Sequence, residues 1–223
     1  MTMAVGLIGA LAQHDLRRVL SFNLIGHIGF TTVGLALWTP ASLAGSILYV
    51  LHHMLVISTL FLVGGLFLRH RRTTDLRLLG GLYRTQPFVA CLAMIPLFSL
   101  AGIPPLSGFL AKLAVVTPMI GQEQYALAAL ALAVSLLTVF SMARVWEEAF
   151  WKPAPGQSAE PLHQSRVAGA ILAPVVLLVS LTVGFTVAAG PVYGLATRAA
   201  QQLLDRGEYV RAVLGEGRQR AAR

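Results

Sequence analysis

The segment Ala101-Gly102-Ile103-Pro104-Pro105-Leu106-Ser107-Gly108-Phe109-Leu110-Ala111-Lys112 interrupts an apolar run over residues 87–120. Two consecutive prolines remove two backbone donors and clash with the preceding turn, so no continuous helix passes through them. Lys112 is the one charged side chain between residues 85 and 122. Such a segment is either one interrupted membrane crossing or a tight hairpin of two. Basic groups at 17–18, 69–84 and 144–166 separate these choices. A single crossing puts all three groups on one side of a membrane, whereas a hairpin moves the third across. The positive-inside bias favours the single, interrupted crossing.

The rest of the chain has the same character. Its 223 residues have a mean hydropathy of +0.72 and 12% charged side chains, about half the share usual in a soluble domain. Residues 19–68, 85–111, 113–122, 124–143 and 167–197 contain no Asp, Glu, Lys or Arg. A soluble domain cannot cover its surface with what remains. The pattern excludes an ordinary soluble enzyme and a disordered chain, and it predicts an all-α, polytopic transmembrane helix bundle.

The run 19–68 would extend roughly 75 Å as one helix, against a hydrocarbon core of about 30 Å. It must hold two spans, divided at Trp38-Thr39-Pro40, where an interfacial aromatic precedes a helix breaker. Spans are expected near 19–38 and 44–68, the second stopped by Arg69-His70-Arg71-Arg72. The broken segment 87–120 follows, then spans at 124–143 and 167–190, so the core of the bundle covers 19–152. Residues 1–18 read as a truncated membrane helix and a cytoplasmic loop. Met1–Ala12 lacks the positive stretch of a signal peptide and is shorter than a full span. Residues 153–166 read as a second cytoplasmic loop. The tail, 191–223, puts Leu195, Ala199, Leu203 and Val210 on one face, as in an amphipathic interfacial helix.

The net charge is +8. The basic residues lie in short gaps between apolar runs and form no stripe interleaved with aromatics, so the chain is not read as a nucleic-acid binder. Cys91 is the sole cysteine and reads as a packing residue in an apolar run. There is no metal-ligand spacing, GxGxxG, Walker motif, HExxH or nucleophile elbow, and hence no visible carrier of metal, cofactor or covalent chemistry.

Charge and titratable groups at membrane depth are expensive and mark function by default. Lys112 lies about one turn past the break. A desolvated lysine can accept and release a proton, and the broken helix frees backbone groups to hold water or ions. The alternative is a lysine that snorkels to an interface. His52 and His53 are mid-span on the second helix, and His27 is mid-span on the first with Asn23 one turn before it. Histidine serves as a proton relay or as an interhelical hydrogen-bonding group; both readings stay open here. Adjacent positions point about 100° apart, so one of the pair is expected to face the bundle and the other to pack, with His52 favoured for the first. Proton or cation translocation is the class these residues suggest.

The segment Ala101–Lys112 closely resembles the broken-helix motif of the antiporter-like family. That family comprises multisubunit Na+/H+ (Mrp-type) antiporters and the proton-pumping membrane subunits of respiratory complex I. Asp15-Leu16-Arg17-Arg18, followed by Ser21 and His27-Ile28-Gly29, is similar to a loop and helix start of that family. Tyr49-Val50-Leu51-His52-His53 is similar to the helix that follows. Ser135 to Trp151, with Arg144-Val145-Trp146 and Phe150-Trp151, most resembles the D-type subunit of Mrp antiporters. The likeness covers about residues 5–152. Where many relatives carry a lysine, this chain has Ile57 or a neighbour, and that helix relies on its histidines.

The resemblance implies the second of two inverted repeats plus a closing span. It assigns Lys112 to a periplasmic proton half-channel, with His52, His53 and His27 on the central polar axis. Gly102, Pro104, Pro105, Ser107 and Gly108 form the broken-helix motif. The expected function is the C-terminal half of a monovalent cation/proton antiporter subunit in a bacterial plasma membrane, with basic loops cytoplasmic and the C-terminus periplasmic. Expected partners are other membrane subunits, a first repeat from the same or another chain, H+ and Na+, and the lipid bilayer. Nucleic acid and cofactors are not expected. Two alternatives stand beside it: a proton-pumping subunit of an NADH- or ferredoxin:quinone oxidoreductase, and a non-conducting assembly scaffold.

Overall fold

The computed structural model describes residues 1–153, 169–205 and 207. Among these residues every regular element is a helix. The helices are α1 (Thr2–Leu11), α2 (Leu16–Leu37), α3 (Pro40–Arg71), α4 (Leu82–Thr85), α5 (Pro87–Ala101), α6 (Ser107–Gly121), α7 (Tyr125–Trp146), α8 (Gly169–Val187) and α9 (Ala189–Leu204), with a π-helical turn, Glu147–Trp151, continuing α7. Apart from its first residue, the loop expected over 153–166 lies outside the described residues, as does the tail beyond residue 207.

Local chemistry sets the ends of these helices. Asp15 caps α2, its carboxylate accepting from the Arg18 amide at 3.1 Å. Thr39 caps α3 in a reciprocal arrangement with Ser42, and Pro40 occupies the first helical turn, where its missing N–H costs nothing. The long charge-free run is thereby divided between Leu37 and Pro40. Single prolines at 96, 118 and 174 remain inside helices.

Among the described residues, three helices are each long and apolar enough to cross a membrane: Leu16–Leu37, Pro40–Arg69 and Tyr125–Trp151. Their outward faces are apolar. On α7, Leu132, Leu136 and Phe140 are 57%, 71% and 62% exposed, which suits contact with lipid rather than water.

The two ends of the bundle differ. At one end, the α1–α2 turn pairs with the loop after α3, Leu16 donating to the Thr74 carbonyl at 2.9 Å and Leu76 to that of His14 at 2.8 Å. The Arg144 guanidinium, at the end of α7, donates to the carbonyls of Leu11 (2.6 Å) and Gln13 (2.9 Å). In the same loop region the exposed Arg77 guanidinium holds the Asp75 carboxyl below the usual carboxylate range. At the other end, the Gln122 amide after α6 donates to Thr39 at 3.2 Å. The segment α5–α6 thus starts at the basic end and finishes beside Thr39, crossing the bundle once, and α7 returns.

Apolar clusters fill both halves. Leu60, Val63, Phe67, Leu97, Trp146 and Phe150 pack toward the basic end, and Phe30, Tyr49, Val115, Met119 and Ala131 pack in the other half. Along α3, Tyr49 belongs to one cluster and Val56 to the other, so His52 and His53 fall between them. α1 meets α2 at Gly6 and Gly26, where a Cβ on Gly6 would overlap the Gly26 backbone.

One sequence reading is corrected. Cys91 is exposed on α5 instead of packed, because that helix buries the opposite face through Ala90, Ala93 and Leu97. A finding beyond the sequence reading concerns α9, where Leu195 and Leu203 are 58% and 64% exposed, while Ala196 and Ala200 are buried against Leu43, Ala44 and Leu48 of α3. Small side chains spaced four apart let α9 approach closely, whereas the leucines face outward.

Candidate functional site

The site begins with how α5 ends. Gly102 takes φ +86°, a left-handed conformation that closes the helix, and its amide donates to the Phe98 and Ser99 carbonyls at 3.0 Å each. Ile103 also donates to Phe98, at 3.1 Å. Pro104 and Pro105 then carry the chain, exposed, to Ser107, where α6 starts. The Ala101 carbonyl takes no part in this closure and accepts instead from Nζ of Lys112 at 2.7 Å.

Lys112 is 8% exposed. Its ammonium sits at the C-terminal end of α5, where unsatisfied carbonyls carry partial negative charge. No Asp or Glu lies in α2, α3, α5, α6 or α7, so backbone dipole replaces a counter-ion. Space for the lysine stem comes from Gly102, whose Cβ would lie 2.9 Å from Cδ and 3.1 Å from Nζ of Lys112.

His52 reaches the same break from α3. Its Nδ1 lies 2.9 Å from the Ser107 hydroxyl, which lies 2.9 Å from the Ser99 hydroxyl. A chain of polar groups therefore joins the last turn of α5, the first turn of α6 and α3. Gly108 admits this contact: a Cβ there would overlap the Ser99 carbonyl oxygen and lie 3.1 Å from His52 Nε2.

His53 points to a different neighbour. Its ring stacks on His27 of α2 with centroids 4.8 Å apart and an interplanar angle of 30°. His27 Nδ1 is hydrogen-bonded to the Tyr49 hydroxyl. His27, His52 and His53 are all buried. The adjacent histidines diverge as their spacing requires: His52 turns toward α6 and His53 packs toward α2, and both are enclosed because α3 is central in the bundle.

The structure thus brings Lys112, Ser107, Gly102, Gly108, His52, His53 and His27 into one buried band, with Pro104 and Pro105 at its margin. Sequence reasoning did not single out Tyr49 or Ser99. Tyr49 had a signal, since it lies three and four positions before the two histidines on the same helix. Ser99 had none, because its partner is across the break. Among the described residues, no group of three or more His, Cys, Asp or Glu side chains is placed to hold a metal ion.

A multi-pass helical bundle with one discontinuous crossing and a buried band of basic side chains defines the class. Comparison with known proteins gives the family. The family model described as "NADH:quinone oxidoreductase/Mrp antiporter, TM" matches residues 1–140. The D-type Na(+)/H(+) antiporter subunit of Alkalihalophilus pseudofirmus is 41% identical over 217 residues, covering 97% of this chain and 43% of that protein. NADH-quinone oxidoreductase subunit N 1 of Rhizobium meliloti is 32% identical over 203 residues, covering 89% and 40%. In the structure of the Mrp complex from Dietzia, a chain superposes with a TM-score of 0.87 at 31% identity, covering 96% of this chain and 47% of that one. The chain belongs to the NADH:quinone oxidoreductase/Mrp antiporter transmembrane family. It spans less than half the length of the curated relatives it matches.

Proposed function

We propose that this chain supplies a proton half-channel in a membrane subunit of a monovalent cation/proton antiporter. Lys112 is the exchanging group, and His52, His53 and His27 relay protons along the buried band. The observation that carries this reading is the Lys112 ammonium: buried, held at 2.7 Å by the Ala101 carbonyl, and without a carboxylate in the surrounding helices. A cation stabilised only by backbone dipole can release its proton without leaving a buried anion behind. The Ser99–Ser107–His52 chain begins at the same break and offers the next acceptors.

The remaining parts of the reading follow from family and charge. The similarity to the D-type Na(+)/H(+) antiporter subunit supports Na+ as the exchanged ion and other membrane subunits as partners. A first repeat would come from the same or another chain. The positive-inside bias puts the end carrying Arg17, Arg18, Arg71, Arg77 and Arg144 in the cytoplasm and α9 at the periplasmic face of a bacterial plasma membrane. A second reading, a proton-pumping subunit of a quinone oxidoreductase, is favoured by the similarity to the N-type NADH-quinone oxidoreductase subunit.

One assay separates the two. Everted vesicles carrying the complete complex are given a preformed pH gradient, and Na+ or K+ is then added. Collapse of the gradient by the cation, without NADH- or ferredoxin-dependent quinone reduction, is the expected result. Quinone reduction coupled to acidification, with no response to Na+ or K+, would overturn the antiporter reading in favour of the second.

A further inference from the structure

The band of polar groups does not stop at His27. One turn earlier on α2, on the same face, lies Asn23, which is fully buried. Its amide nitrogen donates to the Val19 carbonyl at 2.9 Å and lies 3.5 Å from the Ser141 hydroxyl of α7. A carbonyl can only accept, so this contact fixes which amide atom is nitrogen. The amide oxygen, Oδ1, is then buried without a protein partner, and so is Nε2 of His27. His27 is 1% exposed, and its other ring nitrogen is already engaged by Tyr49. Two buried polar atoms on neighbouring turns of one helix face each carry an unmet hydrogen bond. An unmet bond of that kind is costly, and ordered water is its usual remedy.

We propose that Asn23 Oδ1 and His27 Nε2 hold a bound water between them, and that Asn23 is a positioning residue that sets this water against His27. The proposal rests on the proton-relay reading of the histidines. The water donates one hydrogen to Oδ1, which can only accept. Toward Nε2 it donates or accepts, according to the His27 tautomer that Tyr49 selects. When His27 carries a proton on both nitrogens, Nε2–H passes its proton to the water oxygen, one of the water's own protons passes to a hydroxyl such as that of Ser141, and that hydroxyl gives up its own proton toward the basic end, so water and serine both end neutral. The amide of Asn23 gains and loses nothing. Since α2 starts at the basic end of the bundle, this site extends the polar band from its middle toward that end, on the side away from Lys112.

The test uses the complete complex in everted vesicles at matched abundance of the chain. Asn23→Leu fills the space and excludes water, and Asn23→Ala leaves room for it. Both lose the contact with Ser141, and comparing transport at matched abundance keeps their different packing costs out of the readout. The expected result is at least about a tenfold loss of cation-induced pH-gradient collapse for Asn23→Leu, about a threefold loss for Asn23→Ala, and a larger solvent deuterium isotope effect in the leucine variant. Equal losses in the two variants, or none in either, would overturn the proposal. Where Asn23→Leu does not assemble, a water-resolving map of the wild-type complex decides. Density within hydrogen-bonding distance of both Asn23 Oδ1 and His27 Nε2 is expected, and its absence sinks the idea. A Lys112→Ala variant with full transport would remove the relay reading, whereas the water density stands or falls on its own.

Discussion

Between α5 and α6 the chain breaks over residues 102–106; between α8 and α9 it bends by 80° at Ala188. Both interruptions fall in apolar sequence rich in glycine and proline. The first is lined by Ser99, Ser107, His52 and Lys112, all buried, and it hands a carbonyl to an ammonium. The second turns at Ala188 with no ionisable side chain beside it, and its outcome is that α9 lies across α3 through Ala196 and Ala200. The lesson is that a broken helix in a membrane is not itself a site. It becomes one where the freed backbone groups meet a side chain that needs them. Elsewhere the break only redirects the chain.

This contrast can be broken by substitution, and the largest effect is expected at Gly108. A valine there would drive its side chain into the Ser99 carbonyl and the edge of His52. Overpacking of this kind costs about 1–3 kcal/mol or more, and both neighbours are fixed by the break. Loss of the assembled complex, read by native gel or size-exclusion of the detergent extract, is the expected outcome.

Gly102→Ala comes next. The left-handed φ of +86° costs an L-residue about 1–2 kcal/mol, and the new methyl crowds Lys112. The variant is expected to assemble with a lowered melting temperature and to transport about tenfold more slowly. A rate equal to wild type would mean that the lysine stem does not depend on this gap.

His52→Ala removes one hydrogen bond, worth about 1 kcal/mol, and Ser107 keeps Ser99 as a partner. Abundance should therefore hold while transport falls several-fold. A variant that loses abundance and rate together would indicate that the histidine holds α3 and α6 in place and carries no protons.

At the other interruption the expected effect is close to nil. Nothing lies within 4 Å of a Cβ on Gly190, and alanine is a better helix former than glycine by roughly 0.5–1 kcal/mol. Gly190→Ala should leave transport unchanged and stability equal or slightly higher. A marked loss of transport would show that the α8–α9 bend does more than redirect the chain.

Much of this architecture was legible in the sequence for simple reasons. Long runs without charge leave helices as the only backbone solution in lipid, and Pro104-Pro105 cannot be accommodated inside one. The single prolines at 96, 118 and 174 show how narrow that second inference is, since each is absorbed into a helix. The polar residues could be named because ionisable groups are rare in apolar runs. Their partners could not. His27 meets Tyr49 and His53 through the packing of α2 on α3, and Ser99 meets Ser107 only because the helix breaks at Gly102 and restarts at Ser107. The face by which α9 meets α3 was not legible either, because close helix contact selects the small side chains of Ala196 and Ala200, which carry little pattern of their own.

The proton path proposed here depends most directly on Lys112. The measurement is the initial rate of cation-induced pH-gradient collapse in vesicles containing the complete complex, comparing wild type with Lys112→Ala at equal abundance. Loss of the buried exchanging group is expected to lower the rate by about a hundredfold. A rate within about twofold of wild type would contradict that path, since proton flow that ignores its one buried ammonium does not run through this break.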